Sequence, residues 1–114
     1  MSTDPAFRSE HDLLGDRDVP ADAYYGVHTL RAQENFPITG TAISIYPELI
    51  RALASIKQAA ALANHELGLL DEARCAAIVK ACQELQAGRL HDQFVVDVIQ
   101  GGAGTSTNMN ANEV

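Results

Sequence analysis

Two amphipathic stretches joined by about three residues constrain the fold of this chain most strongly. The first runs from about Tyr46 to Leu67 and the second from about Asp71 to Ala87. In the first, apolar residues recur alternately four and three positions apart, which places them on one face of a helix: Leu49, Leu53, Ile56, Ala60, Ala63 and Leu67. The second carries its own stripe: Cys75, Ile78, Cys82 and Leu85. Because the connection around Gly68 is so short, the pair is predicted to form an antiparallel helical hairpin.

The composition agrees with a mainly α fold. The chain has 114 residues, enough for one domain with a modest core, and 46% of them are hydrophobic. It contains no Trp and only 5% aromatic residues, so aliphatic and Ala-rich packing is expected. We therefore predict a mainly α domain built on the helical hairpin, with short extended or β segments.

The charge and the termini narrow the range of partners. A formal charge of −7 without a Lys/Arg cluster argues against nucleic acid and against an anionic membrane surface. No apolar run has the length of a signal peptide or a membrane span, so a cytoplasmic protein is expected.

Cys75 and Cys82 lie seven positions apart, two turns of one helix, which suits neither a disulfide nor a zinc site. Two buried thiols are predicted.

The segments outside the hairpin give weaker signals. Residues 1–10 are predicted to be a mobile lead-in, within a polar stretch that extends to about Arg17. Asp22 is predicted to cap a helix from about Ala23 to Asn35, which Phe36 and Pro37 end. Phe94–Ile99 is a β-branched apolar run, predicted to be either a short strand or an extended buried segment.

The segment from Gln100 to Val114 is the best candidate for a binding site. Gly101, Gly102 and Gly104 let a ligand approach the main chain, and Thr-Ser-Thr-Asn follows at once with hydroxyl and amide groups. The start of a helix there would add N–H groups and a partial positive charge, which suits a small carboxylate. The alternative is a plain turn whose Thr or Asn side chain caps the helix. The spacing fits neither a Walker loop nor a dinucleotide fingerprint.

The histidines give no catalytic constellation. His28 shares a helical face with Arg31 and Glu34, so an ion-pair network is the expected role. His65 and His91 are expected near helix ends or at the surface. No catalytic triad and no metal-ligand cluster can be assembled from the sequence.

From about Glu10 to Val114 the chain resembles the N-terminal region of the aspartate ammonia-lyases, in the aspartase/fumarase superfamily. Four stretches carry the resemblance: Asp12–Gly15 with Val19–Ala32 and Glu34–Phe36; Lys57 with Ala59–Asn64; Asp92–Phe94 with Asp97 and Val98; and Gln100–Ser106 with Asn108–Asn110 and Asn112–Val114.

Class II fumarases of the same superfamily are the alternative branch. They share Val-Pro-Ala-Asp, Asn-Met-Asn and Asn-Glu-Val but typically have tryptophan in place of Tyr25. They also have Ala-Gln-Thr-Gln-Arg where this chain has Val27–Arg31, and Gly-Ser-Gly-Thr-Gln-Ser where it has Gly102–Thr107. The versions found here are similar to those of the aspartate ammonia-lyases.

The resemblance implies reversible elimination of ammonia from L-aspartate to give fumarate, through an enediolate-type intermediate and without an organic cofactor. Thr105 matches the family's substrate-contacting threonine, while Ser106 and Asn108 are expected to shape or cap the loop and are secondary candidates for contact with the substrate. No catalytic base is expected within this chain.

The family's remaining site segments lie beyond the position of Val114, on a homotetramer whose active sites are shared between subunits. Residues 1–114 are therefore expected to be a first domain that stops before the central helical bundle and is inactive alone. A non-catalytic helical interaction module remains the competing hypothesis.

Overall fold

The computed structural model describes residues 6–114, and these begin with a β-hairpin. Strand β1 (Phe7–Asp12) pairs antiparallel with β2 (Gly15–Pro20), with Phe7 opposite Pro20 and Asp12 opposite Gly15. The predicted mobile lead-in is thus wrong for Phe7–Glu10, which belong to β1, while residues 1–5 lie outside the described residues. These strands carry no clear apolar alternation, because most of their side chains are polar and, among them, only Val19 is fully buried.

The chain divides into two compact units, and the second, Tyr46–His91, is the predicted antiparallel hairpin. It consists of α2 (Pro47–Glu66) and α3 (Glu72–Gln86). Pro47 occupies the first turn of α2, and Gly68, at φ +74°, follows its end. The Asp71 carboxylate caps α3 by accepting from the Arg74 N–H at 2.7 Å.

The apolar stripe predicted for α2 is displaced by one residue. The buried residues of α2 are Ile50, Ala54 and Ala61, whereas the predicted Leu49 and Ile56 are 40% and 66% exposed. The apolar arc of α2 is wider than the strip that one neighbouring helix covers, and small Ala side chains let α3 approach most closely.

In α3 the predicted stripe is confirmed for Cys75, Cys82 and Leu85, while Ile78 is 37% exposed. Both cysteines are buried free thiols, as predicted, and burial raises the pKa of Cys82.

The first unit, Met1–Ile45 with Asp92–Val114, contains the β-hairpin of β1 and β2. It also contains two short helices that contact each other, α1 (Val27–Asn35) and α4 (Thr105–Glu113). Its core consists of Val19, Val27, Ile43, Phe94, Val96 and Ala111.

Helix α1 begins four residues later than predicted, and its N-cap is Gly26 rather than Asp22. The Arg8 guanidinium donates to the carbonyls of Pro20, Ala23 and Tyr25, which holds that stretch out of a helical conformation.

The apolar run Phe94–Ile99 is an extended buried segment, which was one of the two predicted alternatives. Phe94 and Val96 are almost fully buried. The segment makes one isolated antiparallel bridge, between Ala42 and Asp97, with Ile43 N–H donating to Val96 O and Val98 N–H donating to Thr41 O. It delivers the chain to the glycine loop.

Taken together, four helices and one two-stranded sheet confirm the mainly α fold for the described residues. Single turns of 3₁₀ helix occur at Ile43–Ile45 and His91–Gln93. None of the helices in residues 6–114 combines the length and the apolarity that spanning a membrane would require.

Candidate functional site

The glycine loop, residues 101–104, leads directly into α4. Gly102 and Gly104 have φ values of +79° and +81°, a left-handed conformation that glycine adopts without strain. Gly101 lies against Phe36, since a Cβ there would be 3.1 Å from two ring carbons of that side chain. The loop is exposed, and Thr105 is the first residue of the helix.

The N-cap of α4 is Gly104, and glycine has no side chain that could cap the helix. The alternative in which Thr or Asn supplies the cap is therefore wrong. The cap comes instead from Gln100, whose Oε1 accepts from the Thr107 N–H at 3.2 Å. Gln100 Nε2 also donates to Thr107 Oγ1 at 2.7 Å and to Asp97 O at 2.9 Å. This side chain thus closes the glycine loop from one side.

The three predicted site residues differ in where they lie. Thr105 is exposed at the start of α4, and Asn108 is also exposed, with its N–H donating to Gly104 O at 3.1 Å. Ser106 is only 7% exposed and belongs to the interior of its unit. The structure therefore places Thr105 beside the open glycine loop, and it sets Ser106 behind them in the interior.

Asn110 is a supporting residue that the sequence reasoning did not identify. It is fully buried, its Oδ1 accepts from Val95 N–H at 3.0 Å, and its Nδ2 donates to Gln93 O at 2.9 Å. Its amide attaches α4 to the extended segment. The sequence offered one signal for its burial. Asn110 directly precedes Ala111, the apolar residue that this short helix buries.

Asp97 is a second supporting residue missed at the sequence level. Its carboxylate accepts from the Thr39 N–H and hydroxyl, the Gly40 N–H and the Ile99 N–H, all at 2.8 to 2.9 Å. These donors lower the pKa of Asp97 to about 2, with the Ile99 N–H as the largest cause. Asp97 therefore remains ionised and fixes the segment to which Gln100 is attached.

Two carboxylates supply the cap of α1. Glu113 accepts from the N–H groups of His28 and Thr29, and Glu10 accepts from the Val27 N–H at 2.9 Å. Because Glu113 is the last residue of α4, this contact ties the end of α4 to the start of α1. Acidic groups at this position also interact favourably with the helix dipole.

The expected network of His28, Arg31 and Glu34 is not observed as predicted. Arg31 pairs instead with Asp12, at 2.6 and 2.8 Å, and Glu34 pairs with Arg17. The Arg31 guanidinium lowers the pKa of Asp12. These ion pairs join α1 to the β-hairpin, because Arg31 of α1 reaches Asp12 of β1 and Arg17 of β2 reaches Glu34 of α1.

His65 and His91 both bond to main-chain carbonyls. His65 Nδ1 lies 3.1 Å from Leu70 O, and His91 Nε2 lies 2.8 Å from Leu85 O. Both carbonyls lie at or beyond the end of a helix, in agreement with the structural role expected for these residues.

The first unit also contains an open cavity of about 220 Å³. Its lining residues are Gln33, Phe36, Pro37, Gly40, Thr41, Ala42, Val95 and Asp97, and none of the three predicted site residues is among them. Within residues 6–114, no group of three or more His, Cys, Asp or Glu side chains is placed to hold a metal ion.

Comparison with known proteins identifies the family. A family model described as "Lyase" matches residues 15–114. The chain belongs to this lyase family. Aspartate ammonia-lyase of Pseudomonas canavaninivorans is 62% identical over the whole chain, and that of Escherichia coli (strain K12) is 59% identical over 94% of it. These matches confirm the resemblance to aspartate ammonia-lyases.

Solved structures of the lyase family share the fold. A fumarate lyase:delta crystallin from Brucella melitensis has 58% identity and a TM-score of 0.91 over 94% of this chain and 25% of its own. A class II fumarase from Schistosoma mansoni has 38% identity and a TM-score of 0.87, over 94% of this chain and 22% of its own. The present chain spans only 24% and 23% of the length of the P. canavaninivorans and E. coli aspartate ammonia-lyases, respectively.

Proposed function

We propose that this chain contributes to an aspartate ammonia-lyase, which converts L-aspartate reversibly to fumarate and ammonia. The observation that carries the proposal is the unobstructed glycine loop with Thr105 exposed at the start of α4. The relatives that bear this enzyme's name support it, since they are 56–62% identical where the class II fumarase is 38% identical.

The reaction explains why such a loop is useful. Removing a proton from the carbon next to the β-carboxylate places extra negative charge on the two carboxylate oxygens. Donors fixed in advance around those oxygens lower the barrier because they need no reorganisation as the charge develops. The Thr105 hydroxyl is one such donor, and the first N–H groups of α4 add a partial positive charge.

Local donors are necessary because the chain as a whole repels the substrate. Its formal charge is −7, and a dicarboxylate is itself anionic. A neutral hydroxyl and main-chain N–H groups bind an anion without a nearby basic side chain. Ser106 supports the position of Thr105 from the interior, and Asn108, whose N–H donates to Gly104 O, is the secondary candidate for contact with the substrate.

The remaining features of the proposal come from the family resemblance. The active enzyme is a cytoplasmic homotetramer with shared active sites and no organic cofactor, and its catalytic base lies outside these 114 residues. Residues 1–114 alone are therefore inactive, since the loop supplies only one wall of the site.

The test uses a chimera, in which residues 1–114 of this chain replace the matched segment of the P. canavaninivorans relative. The chimera is expected to form fumarate from aspartate and not from malate. Thr105→Ala should lower kcat about 100-fold or more with assembly unchanged by size-exclusion chromatography, and Thr105→Ser should retain most of the activity.

Two results would contradict the proposal. An assembled chimera that does not convert aspartate would favour the helical interaction module, and preference for malate would favour a fumarase. A Thr105→Ala chimera with normal turnover would remove Thr105 from the site.

A further inference from the structure

We propose that Gln100 is a positioning residue that fixes Thr105 and leaves the first N–H groups of α4 open to the substrate carboxylate. The inference rests on the proposed function of the glycine loop. It assigns to Gln100 the capping role that a side chain at the N-cap usually has.

The N-terminal cap of α4 is unusual because its hydrogen-bond acceptor belongs to a residue outside the helix. Counting from Gly104 as N-cap, Thr105, Ser106 and Thr107 occupy the first three helical positions. A Ser, Thr or Asp at an N-cap accepts from the second or third of these N–H groups and covers the end of the helix. Here the third N–H, that of Thr107, bonds to Gln100 Oε1, which lies before the loop in sequence.

This arrangement separates capping from access. With glycine at the N-cap, the capping position of α4 itself carries no side chain. The N–H groups of Thr105 and Ser106 have no acceptor within their own helix, as for the first residues of any α-helix. Gln100 accepts the Thr107 N–H and leaves open the side of the helix end that an incoming carboxylate would approach.

The Gln100 side chain is held at both ends, so it can transmit a defined position. Its Nε2 donates to the Asp97 carbonyl and to Thr107 Oγ1, and its Oε1 accepts from Thr107 N–H. Asp97 is fixed in turn by its bonds to Thr39, Gly40 and Ile99. A continuous set of hydrogen bonds thus runs from the Thr39 turn to the first turn of α4.

The exposed loop has few other restraints. Gly102 and Gly104 are exposed and conformationally free, and Gly101 lies against the Phe36 ring. Without the Gln100 bridge, the Thr105 hydroxyl would sample several positions. A misplacement of about 1 Å at a catalytic donor is enough to lower turnover about 100-fold.

The experiment compares variants of the chimera described above. Gln100→Ala removes all three hydrogen bonds, Thr107→Val removes only the hydroxyl, and Thr107→Ser restores it. Gln83→Ala, at an exposed position of α3, is the matched control for the same substitution. Each variant is measured for kcat, KM for aspartate, melting temperature and assembly.

A positioning role predicts a loss in kcat among correctly assembled molecules. Gln100→Ala should lower kcat about 10- to 100-fold, with a smaller change in KM, at temperatures well below its melting temperature. Thr107→Val should lower kcat in the same direction, Thr107→Ser should recover it, and Gln83→Ala should leave it unchanged. A merely structural role would lower the melting temperature and leave the kcat of assembled enzyme intact.

The inference is overturned if Gln100→Ala keeps kcat within about twofold while Thr105→Ala still abolishes turnover. If Gln100→Ala fails to assemble, the Thr107 pair decides, since equal activity in Thr107→Val and Thr107→Ser would overturn it. Normal turnover in Thr105→Ala, by contrast, would refute the proposed site itself and this inference with it.

Discussion

The Glu113 carboxylate accepts from the Thr29 N–H at 2.7 Å and from the Thr29 hydroxyl at 2.5 Å, which joins two helices through residues 84 positions apart in the sequence. Glu113 ends α4, the helix that begins with Thr105, and Thr29 lies in the first turn of α1. The helix that carries the candidate substrate contact is therefore held at both ends, by Gln100 at its start and by Glu113 at its finish.

Glycine at position 26 leaves room for this contact. A Cβ on Gly26 would lie 2.5 Å from Glu113 Oε2 and 2.7 Å from Glu10 Oε1, although the Gly26 backbone at φ −120° suits any residue. Gly26→Ala should therefore destabilise the chain by about 1–3 kcal/mol, through steric displacement of the two carboxylates. Urea denaturation of the 114-residue chain measures the change.

A double-mutant cycle separates this cause from a general effect of the added methyl group. In a Glu113→Ala background the Gly26→Ala substitution should cost clearly less, because one of the two clashing carboxylates is gone. Strictly additive costs would show that the Glu113 carboxylate does not restrict position 26.

Asp97 contributes to the stability of the folded chain, and its contribution varies with pH in the acidic range. Its folded-state pKa is about 2, below the ordinary value of 3.8, because four donors favour the ionised form. The stabilisation is thus complete above about pH 4 and is lost as the pH falls from there toward about 2. Denaturation midpoints measured across this range should fall with pH.

Asp97→Asn should lower the midpoint at neutral pH and flatten its dependence on pH between about 4 and 2, since an amide does not titrate there. Asp22→Asn, at an exposed carboxyl, is the control and should change neither. An unaltered acid profile in Asp97→Asn would mean that other groups produce the dependence.

The helical hairpin and the start of α4 were predictable because local signals determine them. Helical periodicity, Asp71 as a cap and the short connection at Gly68 all act within a few residues of one another. The loop at Gly101–Gly104 was recognisable for the same reason, since glycine and hydroxyl residues cluster in one run.

The start of α1 and the support of the loop were not predictable in this way. Gly26 is a helix N-cap because Glu10 and Glu113 reach it from distant parts of the sequence, and Arg8 keeps the preceding residues extended. Gln100 caps α4 from outside the helix. A single polar side chain that bonds across a loop or to a distant segment leaves no periodic pattern in the sequence.

The face of α2 that is buried offers a direct test on two identical side chains. Ile50 is fully buried, whereas Ile56, in the stripe predicted from the sequence, is 66% exposed. Ile50→Ala should cost about 2–5 kcal/mol through lost burial and the cavity it leaves, and Ile56→Ala should cost less than about 1 kcal/mol. Both variants alter the same residue type in the same helix, so helix propensity cancels between them. Equal losses in urea denaturation would mean that Ile56 is as deeply buried as Ile50, contrary to the structure. A larger loss in Ile56→Ala would mean that the hairpin buries the face predicted from periodicity.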